Sequence, residues 1–326
     1  EADDAAGKWL SGASREGCAW QSEFTMADLD DTVYAAAIYD DGTGRALYVA
    51  GDFTAADGEV VHRIARWDGS GWLALNGPSG TGMDNSVYGL AVFDDGTGPA
   101  LYAGGSFATA GGVTVHNVAR WDGSAWSGLS GLSGTGTNSW VRALVVFDDG
   151  SGPALYAGGG FTTAGGVVVN HVARWDGTAW FALSGPSGTG TSGGVNTLAV
   201  FDDGTGPALY AGGAFFRAGG VIVSNIARWD GTVWTALSGA SNPGMNGVVY
   251  AMAVFDDGTG EALYVGGGFL AAGGETVNRI ARWNGSAWST LAGPSGTGTS
   301  GTVRALTVCD DGAELALCAG GSFITA

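Results

Sequence analysis

The stretch VRALVVFDDGSGPALYAGGGFTTAGGVVVNHVARWDGTAWFALSGPSGTGTSGG, residues 141–194, decides the fold. It contains four short apolar segments, at residues 141–147, 154–159, 168–175 and 179–184. A DDGSG sequence separates the first two segments, and a DGT sequence separates the last two. Such turns are typical of β-hairpins, because Asp and Gly tolerate the backbone angles of tight turns. The stretch therefore predicts four antiparallel β-strands.

The same pattern recurs every 54 residues along the chain. Asp-Asp-Gly begins at Asp40, Asp94, Asp148, Asp202, Asp256 and Asp310. Two tryptophan series keep the same period, at Trp67, Trp121, Trp175, Trp229 and Trp283, and at Trp72, Trp126, Trp180, Trp234 and Trp288. Four-stranded units at a fixed period are typical of β-propeller blades. A β-solenoid is the alternative, but its coils are usually shorter and do not carry two hairpins per repeat.

The two ends of the chain predict a ring of six blades. Complete units span residues 33–86, 87–140, 141–194, 195–248 and 249–302, and a sixth unit begins at residue 303 but stops at residue 326. The N-terminal ASREGCAW sequence aligns with ARWDGSAW of the second unit and keeps Gly17 and Trp20 in register. We therefore expect a single propeller domain, residues 1–326. Residues 1–32 would supply the two outer strands of the last blade, which removes an open sheet edge.

The composition is that of a folded, acidic protein. Apolar residues make up 45% of the chain and 62 residues are glycine, which suits short strands with tight turns around a real core. The formal net charge of −18 argues against nucleic acid or an anionic membrane surface as a partner. Membrane insertion is not expected, because no apolar run approaches the roughly 20 residues that cross a bilayer.

The repeat resembles the kelch repeat over nearly the whole chain. The resemblance rests on ALYAGG at residues 208–213, SNIARWD at residues 224–230, and Trp234 with Leu237. The kelch motif has an aromatic residue before a double glycine, an aromatic-Asp pair on the third strand and a Trp on the fourth. The glycine-rich copies are also similar to repeats of bacterial extracellular proteins. The resemblance implies a kelch-like propeller and leaves protein binding, glycan binding and enzymatic roles open.

Residues that recur in every unit are interpreted first as parts of the scaffold. One arginine position on the third strand is expected to pair with an Asp turn, at Arg66, Arg120, Arg174, Arg228 and Arg282. The tryptophans are expected to pack across hairpins, with stacking on sugar rings as the functional alternative. The paired carboxylates of the Asp-Asp-Gly turns leave Ca²⁺ open as a weak alternative, although they lack the alternating Asp spacing of calcium loops. No other cofactor or metal is predicted.

The cysteines depart from the repeat at two positions of one hairpin. Cys309 stands where the other units have Phe or Tyr, and Cys318 stands where they have Tyr. If residues 312–315 form a four-residue loop, the two cysteines lie opposite each other. We therefore predict a disulfide, and with it a secreted, periplasmic or cell-surface location. Cys18 is left as a buried thiol or as an alternative partner.

Positions that differ between units are candidates for binding. The second-to-third and fourth-to-first loops should share one face of a propeller, which we call the loop face. The candidates there are Phe216, Arg217, Trp140, Met83, Met245, His62, His116 and His171. An arginine beside exposed aromatic residues suits protein recognition. A second set near the expected channel is open to a small anion, a sugar or ordered water, and comprises Tyr34, Tyr88, Arg142, Asn196, Tyr250 and Arg304.

These patterns favour a non-enzymatic extracellular binding or assembly module that recognises protein or glycan, alone or as a homo-oligomer. Rigid blades with short loops lose little entropy on binding. A polysaccharide-acting enzyme or lectin with its site at the channel mouth is the alternative. No catalytic residue is predicted, because the sequence has neither a Gly-x-Ser-x-Gly elbow nor a His-Glu-x-x-His zinc motif.

Overall fold

The structure is a computed structural model that describes residues 29–131, 134–237, 244–293, 296–310 and 315–326. These residues form strands and turns, and no helix occurs among them. The fold is all-β, as the sequence predicts. Cys18 and the segment that aligns with the outer strands of the second unit lie outside the described residues.

The first three repeats have the same eight strands each. The first repeat contains β1 (Val33–Asp40), β2 (Arg45–Gly51), β3 (Ala55–Ala56), β4 (Glu59–Val60), β5 (Ile64–Trp67), β6 (Trp72–Ala74), β7 (Asn76–Gly77) and β8 (Gly80–Thr81). The second contains β9 (Val87–Asp94), β10 (Pro99–Gly105), β11 (Thr109–Ala110), β12 (Val113–Thr114), β13 (Val118–Trp121), β14 (Trp126–Gly128), β15 (Ser130–Gly131) and β16 (Gly134–Thr135). The third contains β17 (Val141–Asp148), β18 (Pro153–Gly159), β19 (Thr163–Ala164), β20 (Val167–Val168), β21 (Val172–Trp175), β22 (Trp180–Ala182), β23 (Ser184–Gly185) and β24 (Gly188–Thr189).

The last three repeats follow the same order within the part of the chain that is described. The fourth contains β25 (Val195–Asp202), β26 (Pro207–Gly213), β27 (Arg217–Ala218), β28 (Val221–Ile222), β29 (Ile226–Trp229) and β30 (Trp234–Thr235). The fifth contains β31 (Val249–Asp256), β32 (Glu261–Gly267), β33 (Ala271–Ala272), β34 (Glu275–Thr276), β35 (Ile280–Trp283), β36 (Trp288–Thr290), β37 (Ala292–Gly293) and β38 (Gly296–Thr297). The sixth contains β39 (Val303–Asp310) and β40 (Leu315–Gly321).

Four strands of each of the first five repeats form an antiparallel sheet, as the two hairpin turns predict. The strand orders are β1-β2-β5-β6, β9-β10-β13-β14, β17-β18-β21-β22, β25-β26-β29-β30 and β31-β32-β35-β36. In the sixth repeat, the described residues form one hairpin, β39 with β40. The predicted four-stranded sheet is therefore present in each of the first five repeats.

The third strand is shorter than the sequence predicts. In the third repeat the prediction covers residues 168–175, whereas β21 begins at Val172. Asn170 and His171 have φ angles of 50° and 71°, in the left-handed region that a strand does not adopt. Two consecutive left-handed residues recur at 62–63, 116–117, 224–225 and 278–279, so a tight turn precedes the third strand in each of these repeats.

The chain divides into two compact units. We call the described residues 29–184 and 188–195 the N-terminal unit, and Gly185–Ser187 with the described part of Asn196–Ala326 the C-terminal unit. Within the N-terminal unit, β1 lies against β9 and β9 lies against β17. Within the C-terminal unit, β31 lies against β39. The second strands of four repeats, β10, β18, β26 and β32, are buried at every residue except the first. The core of each unit is therefore centred on its second strands.

An Asp–Tyr–Arg network ties the first hairpin of a repeat to its third strand. In the third repeat, Asp149 Oδ2 accepts a hydrogen bond from the Tyr156 hydroxyl at 2.7 Å and lies 3.5 Å from Arg174 Nε. The other pairs join at 2.9–3.3 Å and are Asp41–Arg66, Asp95–Arg120, Asp203–Arg228 and Asp257–Arg282. The prediction that the repeated arginine pairs with an Asp turn is confirmed. Burial alone would raise the pKa of Asp149, but hydrogen bonds from Ser151 and Tyr156 outweigh it, and the net change is a lowering.

The two tryptophans beside each Asp-Gly turn are packing residues. In the second repeat the rings of Trp121 and Trp126 are 5.1 Å apart, and both side chains are buried. Trp126 Nε1 donates a hydrogen bond to the carbonyl of Leu75 in the preceding repeat, at 3.4 Å. The predicted packing role is confirmed, and the indole also joins neighbouring repeats.

The predicted disulfide between Cys309 and Cys318 is present, with its Cα atoms 6.1 Å apart. The four-residue loop assumed from the sequence places the two cysteines directly opposite each other. The strand register instead pairs Cys309 with Ala316, so the two cysteines are diagonal neighbours. In the fifth repeat the same diagonal holds the rings of Phe255 and Tyr264, 5.9 Å apart. The disulfide therefore replaces an aromatic contact of the other repeats.

Candidate functional site

A β-bulge marks the second residue of the first strand. In β1 the pairing passes from Val33–Gly51 to Ala35–Ala50, which leaves Tyr34 without a ladder partner. The equivalent shifts leave Tyr88, Arg142, Tyr250 and Arg304 at bulges. A bulge re-aims the side chain of its extra residue. Five of the six residues that the sequence places near a channel are therefore bulge residues. We call Tyr34, Tyr88 and Arg142 the N-terminal bulge row.

The double glycine that ends the second strand makes this bulge possible. A Cβ on Gly159 would lie 2.1 Å from the carbonyl oxygen of Trp140, so only glycine fits. The next amide, Gly160 N, donates a hydrogen bond to that same carbonyl at 2.9 Å. Gly105 approaches the carbonyl of Ser86 in the same way. The motif that carries the resemblance in sequence thus serves to position the bulge residue.

The three side chains of the N-terminal bulge row contact one another in order. The rings of Tyr34 and Tyr88 are 5.5 Å apart in an edge-to-face arrangement at 62°. The guanidinium carbon of Arg142 lies over the Tyr88 ring, 5.8 Å from its centre. Tyr34 is 46% exposed and Arg142 is exposed, while Tyr88 is half-buried between them. The row therefore offers to solvent an aromatic ring and a cation, one on each side of Tyr88.

Hydroxyl groups hold this row in place. The Tyr34 hydroxyl donates a hydrogen bond to Asp52 Oδ2 at 2.7 Å, and the Ser86 hydroxyl donates to Asp52 Oδ1. The Tyr88 hydroxyl lies 3.3 Å from that of Ser106. Partial burial, together with the hydrogen bond to Asp52, raises the pKa of Tyr34 to about 12. The phenol therefore stays protonated, and keeps donating to the carboxylate, to a higher pH than an ordinary tyrosine would.

The C-terminal unit has half of this arrangement. The guanidinium carbon of Arg304 lies 5.6 Å from the centre of the Tyr250 ring, as Arg142 does over Tyr88. The position that corresponds to Tyr34 is Asn196, whose Nδ2 donates to a backbone carbonyl at 2.9 Å. The C-terminal unit thus has the stacked guanidinium without the neighbouring aromatic ring.

The tips of the second-to-third loops are held by a polar side chain that lies 24 residues earlier. Asp30 Oδ1 accepts hydrogen bonds from the backbone amides of Thr54, at 2.6 Å, and Ala55, at 3.0 Å. The same two bonds are made in four of the other repeats, by Asp84, Asn138, Asn246 and Ser300. Sequence reasoning missed this latch, although the recurring Asp, Asn or Ser before each first strand was a usable signal.

The side chains at the tips of the second-to-third loops differ between the N-terminal and C-terminal units. The N-terminal unit has Thr54, Ala108 and Thr162 at the tip. The C-terminal unit has Phe216, Leu270 and Ile324, which are 64%, 47% and 87% exposed. We call these three residues the apolar tips. Arg217 is also exposed, and its Nη1 donates to the carbonyl of Gly220 at 3.0 Å.

The expectation that Met83 and Met245 line the loop face is wrong. They are only 2% and 1% exposed. Each forms an isolated β-bridge, with Ala110 or Ala272, and fills the space beneath a loop. The equivalent Thr137 is buried as well. The methionine in each of these Gly/Ser/Thr loops is thus a buried packing residue, since a methionine side chain adapts to irregular space.

Trp140 is half-buried and not a fully exposed aromatic residue. Its indole lies against Gly160 and Gly194, and a Cβ on Gly160 would be 2.4 Å from the ring. The three histidines lie in separate turns, at left-handed residues. Burial lowers the pKa of His171. Trp140 and the histidines stay candidates for binding, but each histidine stands in a different repeat.

The described residues contain no group of three or more His, Cys, Asp or Glu side chains that could hold a metal ion. In the Asp-Asp-Gly turn of the third repeat, Asp148 accepts from two backbone amides and Asp149 from Tyr156. Ca²⁺ binding there stays a prediction. No helix among the described residues is long and apolar enough to span a membrane.

No family model matches the chain, and no curated protein matches it. Two solved structures with a similar course of the backbone are from B. thetaiotaomicron. One is described as the extracellular domain of the hybrid two-component system BT4673, with a TM-score of 0.46, 10% identity, and coverage of 91% of this chain and 38% of that chain. The other is described as the extracellular domain of a one-component system BT4673, with a TM-score of 0.35, 11% identity, and coverage of 88% and 44%. This chain spans less than half of each structure, and likeness at this level assigns it no function.

Proposed function

We propose that the chain is a non-enzymatic, extracellular binding module built on a kelch-like, six-bladed propeller. In this proposal strands from residues 1–32 complete the sixth sheet. The support is the behaviour of β40, which pairs only with β39 among the described residues, whereas β2, β10, β18, β26 and β32 each pair on both sides. An unpaired edge of this kind favours another strand as its neighbour. The disulfide between Cys309 and Cys318 supports an oxidising compartment.

A chain that lacks residues 1–28 tests the closure. If these residues cover the edge of β40, the shortened chain should aggregate or dimerise at concentrations where the full chain is monomeric, as sedimentation velocity would measure. A shortened chain with the same sedimentation and the same unfolding midpoint as the full chain would count against a closed ring.

The partner in this proposal is a protein, and the apolar tips carry that part of it. Phe216, Leu270 and Ile324 occupy one position of three successive repeats, and all three side chains face solvent. The backbone beneath Leu270 and Ile324 is already fixed by hydrogen bonds from Asn246 and Ser300. Exposed apolar residues on a fixed backbone lose little entropy on binding, and they suit the centre of a protein interface.

A photo-crosslinking residue at position 270 tests this directly, with position 162 as the matched control. Both positions lie on a latched tip, but Thr162 belongs to the N-terminal unit. Crosslinking in the extracellular fraction of the producing organism should join one defined protein, or a second copy of the chain, to position 270 and not to position 162. Equal crosslinking at both positions, or none at 270, would overturn the assignment of the apolar tips.

A triple variant extends the test to affinity. Phe216→Thr, Leu270→Thr and Ile324→Thr place at each tip the residue that positions 54 and 162 already have. The control variant, Val60→Thr with Val168→Thr, removes apolar residues of the short strands β4 and β20 that are 57% and 59% exposed. The triple variant should weaken binding of the crosslinked partner at least tenfold and leave the unfolding midpoint unchanged, because an anchor residue typically contributes more than about 1 kcal/mol.

A further inference from the structure

The N-terminal bulge row has a feature that the repeated arginines lack. Arg66, Arg120 and Arg174 are each held by the carboxylate of an Asp turn. Arg142 makes no ion pair with any described residue and rests instead on the Tyr88 ring. Among the described residues, Arg45 and Arg304 are also exposed and without an ion pair, so what distinguishes Arg142 is its contact with the Tyr34–Tyr88 ring pair. Its hydrogen-bonding edge is left for an external oxyanion.

The acid that is hydrogen-bonded to this row, Asp52, forms no ion pair with Arg142 among the described residues. Asp52 is bound by the hydroxyls of Tyr34 and Ser86 through its two carboxylate oxygens. Its role is to fix the Tyr34 ring, which is 46% exposed. The row therefore combines a positioned aromatic ring with a guanidinium that forms no ion pair among the described residues. Aromatic rings with a fixed hydroxyl present an apolar surface at low entropic cost.

We propose that Tyr34, Tyr88 and Arg142 form a binding site for an acidic sugar, in which the guanidinium pairs with a sugar carboxylate and the Tyr34 ring stacks against the pyranose. The hydroxyls of Ser86 and Ser106, which lie beside the row, supply polar contacts of the kind that sugars need. The site lies within the N-terminal unit and does not use the apolar tips, so it stands or falls independently of the protein partner.

The carboxylate could belong to a free organic acid or to an acidic sugar, and the two ligands need different residues of the row. A free organic acid needs only Arg142, whereas an acidic sugar also needs the exposed Tyr34 ring. The C-terminal unit separates the two requirements, because Arg304 rests on Tyr250 but the position of Tyr34 is filled by Asn196. That unit has a stacked guanidinium alone and serves as an internal control.

The experiment is titration calorimetry on the full chain with a disaccharide that carries one glucuronic acid. The same disaccharide with glucose in that place, and acetate, are the reference probes. Arg142→Gln should weaken binding of the acidic disaccharide roughly tenfold or more, because a charged hydrogen-bond pair is lost. Tyr34→Asn, which copies Asn196, should weaken it several-fold. Arg304→Gln should leave it unchanged.

Folding of each variant is checked by its urea midpoint, and the midpoint of Arg142→Gln should stay at that of the parent because Arg142 is exposed. Unchanged binding in Arg142→Gln, or an equal loss in Arg304→Gln, would overturn the site. Acetate binding as tightly as the disaccharide would reduce it to a carboxylate contact and overturn the sugar assignment. Equal binding of the neutral disaccharide would remove the role of Arg142. Absence of binding at millimolar concentrations would also refute the proposal.

Discussion

Two hairpins of the C-terminal unit stabilise the same diagonal in different ways. In the fifth repeat the diagonal holds the rings of Phe255 and Tyr264, and every residue of β32 except Glu261 is buried. In the sixth repeat it holds a disulfide, and β40 is half-buried to exposed throughout. An aromatic pair gains its free energy from burial, whereas a disulfide acts mainly by restricting the unfolded chain. The covalent bond therefore stands where the described residues provide the least cover.

The largest effect is expected from the network that the first hairpins share. Asp203→Ala removes the partner of Arg228, at 2.9 Å, and of the Tyr210 hydroxyl, at 3.0 Å. A largely buried guanidinium then keeps only its longer ion pair with Asp230, at 4.0 Å, among the described residues. We expect the free energy of unfolding, measured with urea, to fall by about 3 kcal/mol.

Asp202→Ala is the matched control for that variant. Asp202 is the exposed neighbour of Asp203, and among the described residues it accepts hydrogen bonds from the amides of Gly204 and Gly206 alone. Its removal should cost about 1 kcal/mol. Equal losses in the two variants would mean that the turn, and not the ion pair with Arg228, stabilises the hairpin.

The next effect concerns the disulfide. Cys309→Ser combined with Cys318→Ser removes the cross-link that closes a short loop, with a sequence separation of 9 residues. We expect a loss of about 2–3 kcal/mol in the free energy of unfolding. Adding a reductant to the parent chain should reproduce the loss, while the reductant should leave the double serine variant unchanged.

Replacing the disulfide with an aromatic pair sharpens the comparison. Cys309→Phe with Cys318→Tyr installs the pair found in the fifth repeat. Because cross-strand aromatic pairs contribute roughly 0.2–1 kcal/mol, the pair should recover less than half of the lost stability. Full recovery would show that the sixth hairpin is as well covered as the fifth, and that the disulfide is not needed for want of burial.

The period of the sequence predicts the sheets because each Asp-Gly turn and each aromatic residue acts locally. The pairing of Cys309 with Cys318 followed from their shared departure from that period. The diagonal register of the two cysteines could not be predicted in the same way, because it depends on how many residues the turn between β39 and β40 contains. The bulges at Tyr34 and Arg142 could not be predicted either, since they arise where a glycine of the second strand meets the carbonyl of the residue just before the first strand. Met83 misled the sequence analysis because burial depends on packing from other repeats.

A smaller effect tests the hydroxyl in the network. Tyr210→Phe keeps the ring contact with Phe201, at 5.7 Å, and removes only the hydrogen bond to Asp203. The loss in unfolding free energy should be about 1 kcal/mol. Phe201→Tyr copies Tyr39 of the first repeat and serves as a control that alters the same ring pair. A Tyr210→Phe variant as unstable as Asp203→Ala would assign the whole network to the hydroxyl and contradict a role for Arg228.

The smallest effect is a dependence on pH. Hydrogen bonds from Thr259 and Tyr264 lower the pKa of Asp257 to about 2, from an ordinary value of 3.8. Because the folded chain holds the carboxylate in its charged form, the stabilisation is present above the unfolded pKa and is lost as pH falls from about 4 toward about 2. Asp257→Asn should therefore be less stable than the parent at pH 6 by less than about 1 kcal/mol, because solvent screens the charge at this exposed site. The difference between their urea midpoints should shrink at pH 2.5. A difference that stays constant over this range would mean that Asp257 is not held in its charged form by these bonds, and that the hairpin relies on its aromatic pair alone.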